Sequence, residues 1–471
     1  MLATHLDALL SADDTGLDDT GLDDTGLHYT GLDYALTAVD GLDDALAHGL
    51  GRLGEPERAA LTALAGAVSA APLAGPVAEA VAKLTAGTIT DDYVAALAGA
   101  RAALLGAAHD ALLTTLDTAL GRDRAEWAGT GTDAPGVPLA GARSWLTELA
   151  VTGWRGVDEG LVDGSAPVVA ALLDDPRTRR LAVLVDGFAA ELRASAPIAT
   201  MTPLPYRRWG DLWSRAVLLA QDTWPGPPDT TPVSGRLLPL GVDVHEHATA
   251  VQIQVHGVLE TAEGARLVRT SVAAAKVDTI VGPAVWTLFS CPSLLAALAG
   301  HRSLELTAMP LAPSGDLLWH DAAATPGEPA DPFTTARLAL PTATGAAVPP
   351  LDRHPVRIAE PVLLEDYRVK DGAAVLDGHR LRFDTDRLPG CGPLTPALVR
   401  ASTACVGLLR WDAGEWSVQP LAVRATAKRQ PVTAATADWA QGPTDPKVAK
   451  AEAKNDAVAV LRERAGRLLR S

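Results

Sequence analysis

His245 and His247 flank Glu246 in an H-x-H arrangement, inside the densest group of functional side chains in the chain. On a strand, residues two apart point to the same side, so both imidazoles would face one way and could share a metal ion. Asp243 lies on that side by the same alternation. His256 joins it if the next stretch folds back as a hairpin. Asp243, His245, His247 and His256 are therefore the candidate ligands for a divalent metal, in a metal-binding module or a metal-dependent enzyme. The alternative is a polar sheet face without a ligand, which antiparallel sheets commonly present to water. HEHAT lacks the second His of H-E-x-x-H, so it is not that zinc motif.

Other reactive residues are weaker candidates. Asp384–Thr385–Asp386 has the D-x-D spacing of some Mg²⁺ sites, but it lies between LRF and RLPG, where Asp residues end strands by bonding their own backbone. Cys291 precedes Pro292 and Ser293, with His301 ten residues on; a buried structural thiol is the expected reading. No G-x-x-x-x-G-K-[ST], no G-x-G-x-x-G after a strand, no G-x-S-x-G elbow and no kinase loop set occurs. No catalytic residue is assigned. A helical half followed by a β-rich half without shared catalytic spacing points to a non-enzymatic adaptor.

The elements that would position these residues follow from periodicity. In Leu237–Ala275 a helical period gives way to a two-residue one. Val251, Ile253, Val255 and Leu259 fall on one face; Gln252, Gln254, His256 and Glu260 fall on the other. Upstream, Leu240, Val242 and Val244 alternate with Asp243, His245 and His247. A hairpin around Ala248–Thr249 must pair odd positions of the first strand with even positions of the second, because paired residues share a face. Further strands are expected over 266–277, around Ser314–Gly315 and in VRIAEPVLL, YRV and AVL. A hairpin over 405–425 should turn at Asp412–Ala413–Gly414. Residues 321–350 read as an exposed Pro/Ala/Thr-rich excursion.

Before Leu237 the chain reads as helices. Pro56 begins one just inside its first turn, and Thr90 caps a long Ala/Leu helix running towards Leu120. YRRWGDLWSRAVLLAQ (206–221) spaces Trp209, Trp213, Ala216 and Ala220 at helical intervals, with Arg207 and Arg208 off that stripe. Trp209, Trp213, Arg207 and Arg208 could mark an interaction surface, since Trp and Arg are enriched there. The other reading is a helix that buries its indoles in its own bundle.

The 471 residues suffice for two or three domains. Net charge is −17, yet residues 1–50 hold eleven Asp and no Glu, Lys or Arg, which leaves −6 over the other 421 residues. Neither part suggests the basic stripe of nucleic-acid binding. Three well-separated cysteines, without zinc spacing, suit a reduced compartment. The N-terminus lacks the pattern of a signal peptide and no run is long enough to span a membrane, so a cytoplasmic protein is expected.

The expected class is α+β: an acidic arm with a five-residue DDTGL repeat (1–50), an Ala-rich helical domain (51–222), and a Pro-rich linker (223–234). A mainly antiparallel β-rich domain (235–430) and a tail with an amphipathic helix striped by Val458, Leu461, Ala465 and Leu468 (431–471) complete it.

The segments WLTELAVTGWRGVDEGL, LAVLVDGFAAELRA and RRWGDLWSRA, within residues 143–222, resemble uncharacterised actinobacterial proteins. Those are encoded beside genes for a MoxR-type AAA+ ATPase, a von Willebrand factor A protein and a SWIM zinc-finger protein. The resemblance implies an accessory role in an ATPase-driven system, with the AAA+ ATPase or the von Willebrand A protein as partner. The chain itself has no Walker A loop, no D-x-S-x-S metal site and no SWIM C-x-C pair, so it implies no catalytic residue and no cofactor.

Overall fold

The computed structural model describes residues 26–127, 139–221, 230–452 (without 248, 278, 377, 378, 413 and 428) and 463. The architecture is α+β, with helices in the N-terminal half and strands in the C-terminal half.

The helices are α1 (Gly26–His48), α2 (Glu55–Ala67), α3 (Ala74–Thr85), α4 (Asp91–Leu120), α5 (Ala140–Thr152), α6 (Glu159–Asp163), α7 (Ser165–Leu173), α8 (Arg179–Ala194) and α9 (Tyr206–Leu219). Their ends obey local chemistry. Thr90 Oγ1 accepts the N–H of Tyr93 at the start of α4, and Gly121, at φ +60°, ends it in the left-handed region that costs glycine nothing. Glu57 reaches back to the N–H of Gly54 at 2.8 Å to cap α2. Trp154, Trp209, Trp213 and Phe188 are fully buried, with Trp154 at the centre. Its ring centroid is 5.7 Å from Phe188, 6.4 Å from Trp209 and 6.5 Å from Trp213. Each contributes roughly 3 kcal/mol of transfer free energy.

Two expectations about the N-terminal half need correction. Residues 26–48 are not an acidic mobile arm but α1, whose Val39, Leu42 and Leu46 lie in the helical core. The acid-only segment finds its counter-ions elsewhere: Asp43 takes a two-pronged bond from buried Arg101 of α4 at 2.7 and 2.9 Å, and Asp40 pairs with Arg207 of α9. The DDTGL repeats up to residue 25 lie outside the described residues. The Pro-rich linker also ends sooner than expected, since a strand is already running at Thr231.

That strand is β1 (Thr231–Glu246), followed by β2 (Ala250–Thr261), β3 (Gly264–Ala275), helix α10 (Pro292–Ala299), β4 (Arg302–Leu311), β5 (Asp316–Leu317) and β6 (Ala324–Pro329). The expected hairpin register holds, with Asp243 opposite Gln254 and His245 opposite Gln252. The sheet then closes on itself. β3 pairs with β5 in parallel, β5 with β4, and β4 returns to β1, in the order β1-β2-β3-β5-β4-β1. Val242, Val251, Ile253, Val255 and Val268 fill the interior together with Leu294 and Leu298 of α10.

Helix α11 (Pro332–Leu338) leads to β7 (Glu360–Glu365), β8 (Arg368–Lys370), β9 (Ala373–Leu376), β10 (His379–Phe383), helix α12 (Pro396–Arg400), β11 (Ser402–Asp412), β12 (Glu415–Ala427) and β13 (Gln430–Ala435). β7 and β8 are one strand interrupted at Asp366, which has φ +59°. β7 pairs with β11 and β8 with β9; β9 pairs with β10, β10 with β12 in parallel, and β12 with β11. The connectivity of the first barrel is thus repeated: a three-stranded meander, a helix, a hairpin, a parallel bond from third strand to fifth, and a first strand serving both second and fourth. This is the connectivity of the five-stranded Greek-key OB barrel. The β-rich half is two such barrels.

The barrels meet outer face to outer face. A bulge between Pro239 and Gly241 reverses the alternation of β1, so Leu238 and Leu240 face the second barrel and meet Leu363, Val406 and Ala422 there. Leu240, expected on the inward face, is therefore outward. Residues 321–350 are not an exposed excursion. Phe333 and Ala336 of α11 are buried between the barrels, and the Arg424 guanidinium lies 4.3 Å over the Phe333 ring. The tail is likewise shorter than expected, because β13 extends the second sheet through Ala435. Helix α13 (Pro446–Glu452) follows, and the Val458, Leu461, Ala465 and Leu468 stripe lies outside the described residues.

Candidate functional site

β1, β11 and β12 bring Asp243, Arg410 and Gln419 together at the seam between the barrels. Asp243 is 3 % exposed. Its Oδ1 accepts from Gln419 Nε2 at 2.6 Å and its Oδ2 from Arg410 Nη2 at 2.8 Å, while Arg410 Nε donates to Gln419 Oε1 at 2.7 Å. His245 Nε2 lies 3.0 Å from Asp243 Oδ2. Burial pushes the Asp243 carboxyl up, but the bond and charge of His245, with Arg410 and Gln419, more than offset it and hold the group well below the usual carboxylate range.

Next to this ring, His256 on β2 sits between Gly241 of β1 and Arg269 of β3. It is buried, and its Nε2 has no hydrogen-bond partner among the described residues. Burial first, then the Arg269 charge, bring its pKa down to about 4, so the ring is neutral near pH 7. Arg269 in turn holds Asp316 of β5 in a two-pronged pair. Glu360, at the start of β7, accepts from Arg122 Nη1 at 2.7 Å and lies 3.2 Å from Arg124 Nη2. Arg124 also grips Asp117 at 2.6 and 2.9 Å and donates to the Ala346 carbonyl at 2.8 Å. Burial raises Glu360, but Arg124 and Arg122 outweigh it and bring its pKa down to about 2. These bonds therefore link the helical domain and the two barrels, because Arg122 and Arg124 follow the end of α4 while Asp243 and Arg410 lie on different barrels. Low-dielectric surroundings make each of these bonds costly to break.

The predicted metal set is placed as follows. Asp243 and His245 are in contact, and His256 is close enough to feel the Asp243 charge. His247 is exposed beyond the last paired position, where its N–H donates to the Ala250 carbonyl at 2.8 Å. Both Asp243 oxygens are already engaged. Among the described residues no group of three or more His, Cys, Asp or Glu is gathered to hold a metal.

The predicted interaction surface divides. Trp209 and Trp213 are core residues, and Trp213 Nε1 donates to the Leu146 carbonyl at 3.0 Å, so the indoles are not available at the surface. Arg207 and Arg208 remain at the edge, held by Asp40 and Glu191. Asp384 turns back on Arg387 at 2.7 Å. Cys291 is a buried free thiol that burial, then Asp321, push up to about 11, while His301 instead lies 3.0 Å from Asp438. A cavity of about 320 Å³ opens beside β3. Leu267, Leu311, Pro313 and Ala346 wall it, with Glu263 and Arg266 its only charged described neighbours.

Sequence reasoning missed the partners that bury Asp243. Arg410 and Gln419 lie 167 and 176 residues downstream of it, and nothing local announces them. It also missed a local basic surface hidden by the acidic total. Arg368, Lys370, Arg380 and Arg382 alternate on β8 and β10 and are all exposed.

No known protein family, no curated protein and no solved structure matches the chain. Function must therefore be argued from its own geometry. Among the described residues no helix is long and apolar enough to cross a membrane.

Proposed function

We propose that the chain is a non-enzymatic adaptor that binds protein partners, with an AAA+ ATPase or a von Willebrand A protein as the partner implied by the resemblance of residues 143–222. The observation carrying this reading is the use made of the ionisable groups. Asp243, Arg410, Glu360, Arg122 and Arg124 bond one another across the seams between helical domain and barrels. Catalytic groups instead converge on an open cleft with reactive atoms unoccupied. The cavity beside β3 contains none of these groups. A binding role also suits the barrel connectivity, which presents a strand face to ligands.

The test is gentle purification of the full chain from its native cells, with identification of what accompanies it. An adaptor co-purifies with an AAA+ ATPase or an A-domain protein, and a chelator does not release that partner. Recovery of the chain alone, together with turnover of a substrate, would sink the reading.

A further inference from the structure

The outer face of the second barrel over β8, β9 and β10 is open, and its chemistry is basic. Pairing sets Arg368 beside Val375 and Val375 beside Arg380; two residues along, Lys370 lies beside Ala373 and Ala373 beside Arg382. Paired residues share a face. The four cations therefore stand on one surface in two rows, with only small side chains between them. The alternate positions Val369, Ala374, Leu376, Leu381 and Phe383 point into the barrel. Among the described residues two exposed carboxylates pair with the patch, Asp371 at 3.7 Å from Arg380 and Glu415 at 3.9 Å from Arg382. Both pairs are long and solvated, so they hold the arginines weakly. Arg368 and Lys370 have no carboxylate within 4 Å among the described residues.

This is the second-and-third-strand face on which OB-type barrels take ligands. We propose that it docks an extended acidic segment of a protein partner. Alternate side chains of an extended peptide repeat at about 6.8 Å, the same spacing that separates Arg368 from Lys370 and Arg380 from Arg382 along their strands. Each arginine fork can take a carboxylate in two-pronged fashion. Single-stranded nucleic acid fits less well. Its bases need aromatic side chains to stack on, and Ala373 and Val375 occupy the positions between the cations. The proposal rests on the adaptor reading and adds the chemistry of the partner.

The experiment uses the full chain and fluorescence anisotropy with three labelled probes: a short peptide of alternating glutamate and threonine, its glutamine counterpart, and an oligothymidine. The glutamate peptide should bind at low salt, weaken as salt screens the charges, and outbind both other probes. An Arg368→Glu/Arg382→Glu variant should lose about tenfold or more of that affinity. Arg368→Lys/Arg382→Lys, which keeps the charge but loses the forks, should fall between the wild type and the Glu variant, and Arg236→Glu, on the first barrel, should change nothing. Every altered side chain is exposed, so an unchanged thermal midpoint certifies folding. Equal affinity of the Glu variant and the wild type overturns the proposal, as does stronger binding of oligothymidine or no saturable binding of the glutamate peptide. Undiminished co-purification of the native partner with the Glu variant also overturns it, while leaving the adaptor reading intact.

Discussion

The two barrels share one connectivity and use the same outer face in opposite ways. In the first barrel, the face of β1 and β2 is covered: Leu238 and Leu240 pack on the second barrel, Asp243 is ringed by Arg410 and Gln419, and His256 is sealed. In the second barrel, the face of β8, β9 and β10 is left to solvent with Arg368, Lys370, Arg380 and Arg382 upon it. Charge on the covered face is internally matched, whereas charge on the open face has an excess of cations. Polar residues alone therefore do not mark a ligand surface. An uncompensated excess in an accessible place does, because a solvated charge keeps its partner choice open while a buried one must be satisfied within the fold.

The sharpest way to break this comparison is to remove charge from each face and compare stabilities. Asp243→Leu strands Arg410 in the seam, and we expect a loss on the order of 3–5 kcal/mol by chemical denaturation. The Asp243→Leu/Arg410→Met double variant should recover much of it, since removing both partners leaves no orphaned charge. Reversal of Arg368 and Arg382 should stay within about 0.5 kcal/mol. Similar losses on the two faces would mean that the supposedly open one is also structural.

Acid should separate the faces next. The ordinary His pKa of 6.5 falls to about 4 at His256, so between those values the unfolded chain binds a proton that the folded chain refuses. The associated stability is complete above pH 6.5 and is lost as pH falls towards 4, to a limit of roughly 3 kcal/mol. Glu360, at about 2 against an ordinary 4.5, adds a second loss as pH falls from 4.5 towards 2. His354, which burial and then the Arg215 charge hold well below the ordinary His range, refuses a proton in the upper window too. His256→Gln should therefore reduce the slope of the upper window without abolishing it, and should leave the lower window unchanged. If the slope between pH 6.5 and 4 is unchanged in that variant, His256 is not the group that senses acid.

A smaller effect probes how closely the barrels approach. A Cβ on Gly241 would lie 2.5 Å from Leu421 Cβ on the second barrel. Gly241→Ala should cost about 1–3 kcal/mol through overpacking at the seam. A neutral outcome would mean that the seam yields, and that the covered face could become accessible.

Much of this contrast was half-visible in the sequence. The alternation of Val251, Ile253 and Val255 with Gln252, Gln254 and His256 yielded the hairpin and its register, because a barrel wall needs an apolar side and another side. Alternation alone does not say whether the other side is wet. Whether it is wet depends on residues far along the chain, and the same problem affected Asp40 and Asp43, whose arginines come from α4 and α9. Barrel closure was illegible for a related reason: β5 is only Asp316–Leu317, and its parallel bonds to Arg269 and Thr270 have no local period. The basic face, by contrast, was written plainly as Arg-Val-Lys and Arg-Leu-Arg on either side of the β9 segment. The acidic total of the whole chain conceals it, because the cationic excess is confined to one sheet face.

The smallest expected effect concerns metal, and it tests the covered face from the other side. For His245, His247 and Asp243 to ligate zinc, Asp243 would have to release Arg410 or Gln419, and both imidazoles would have to approach to about 2.0–2.1 Å of the ion. The exchange would leave Arg410 short of its anion in a part-buried place, a cost that a metal held by the half-exposed His245 and the exposed His247 does not readily offset. Elemental analysis of the purified chain should therefore find no stoichiometric divalent metal. A chelator should not move its denaturation midpoint, and His245→Ala/His247→Ala should behave like wild type in both measurements. One metal per chain, lost in that double variant, would reverse the assignment. The first barrel's face would then be a ligand site that the second barrel covers, and the acid sensitivity of the seam would have to be reassigned to metal release.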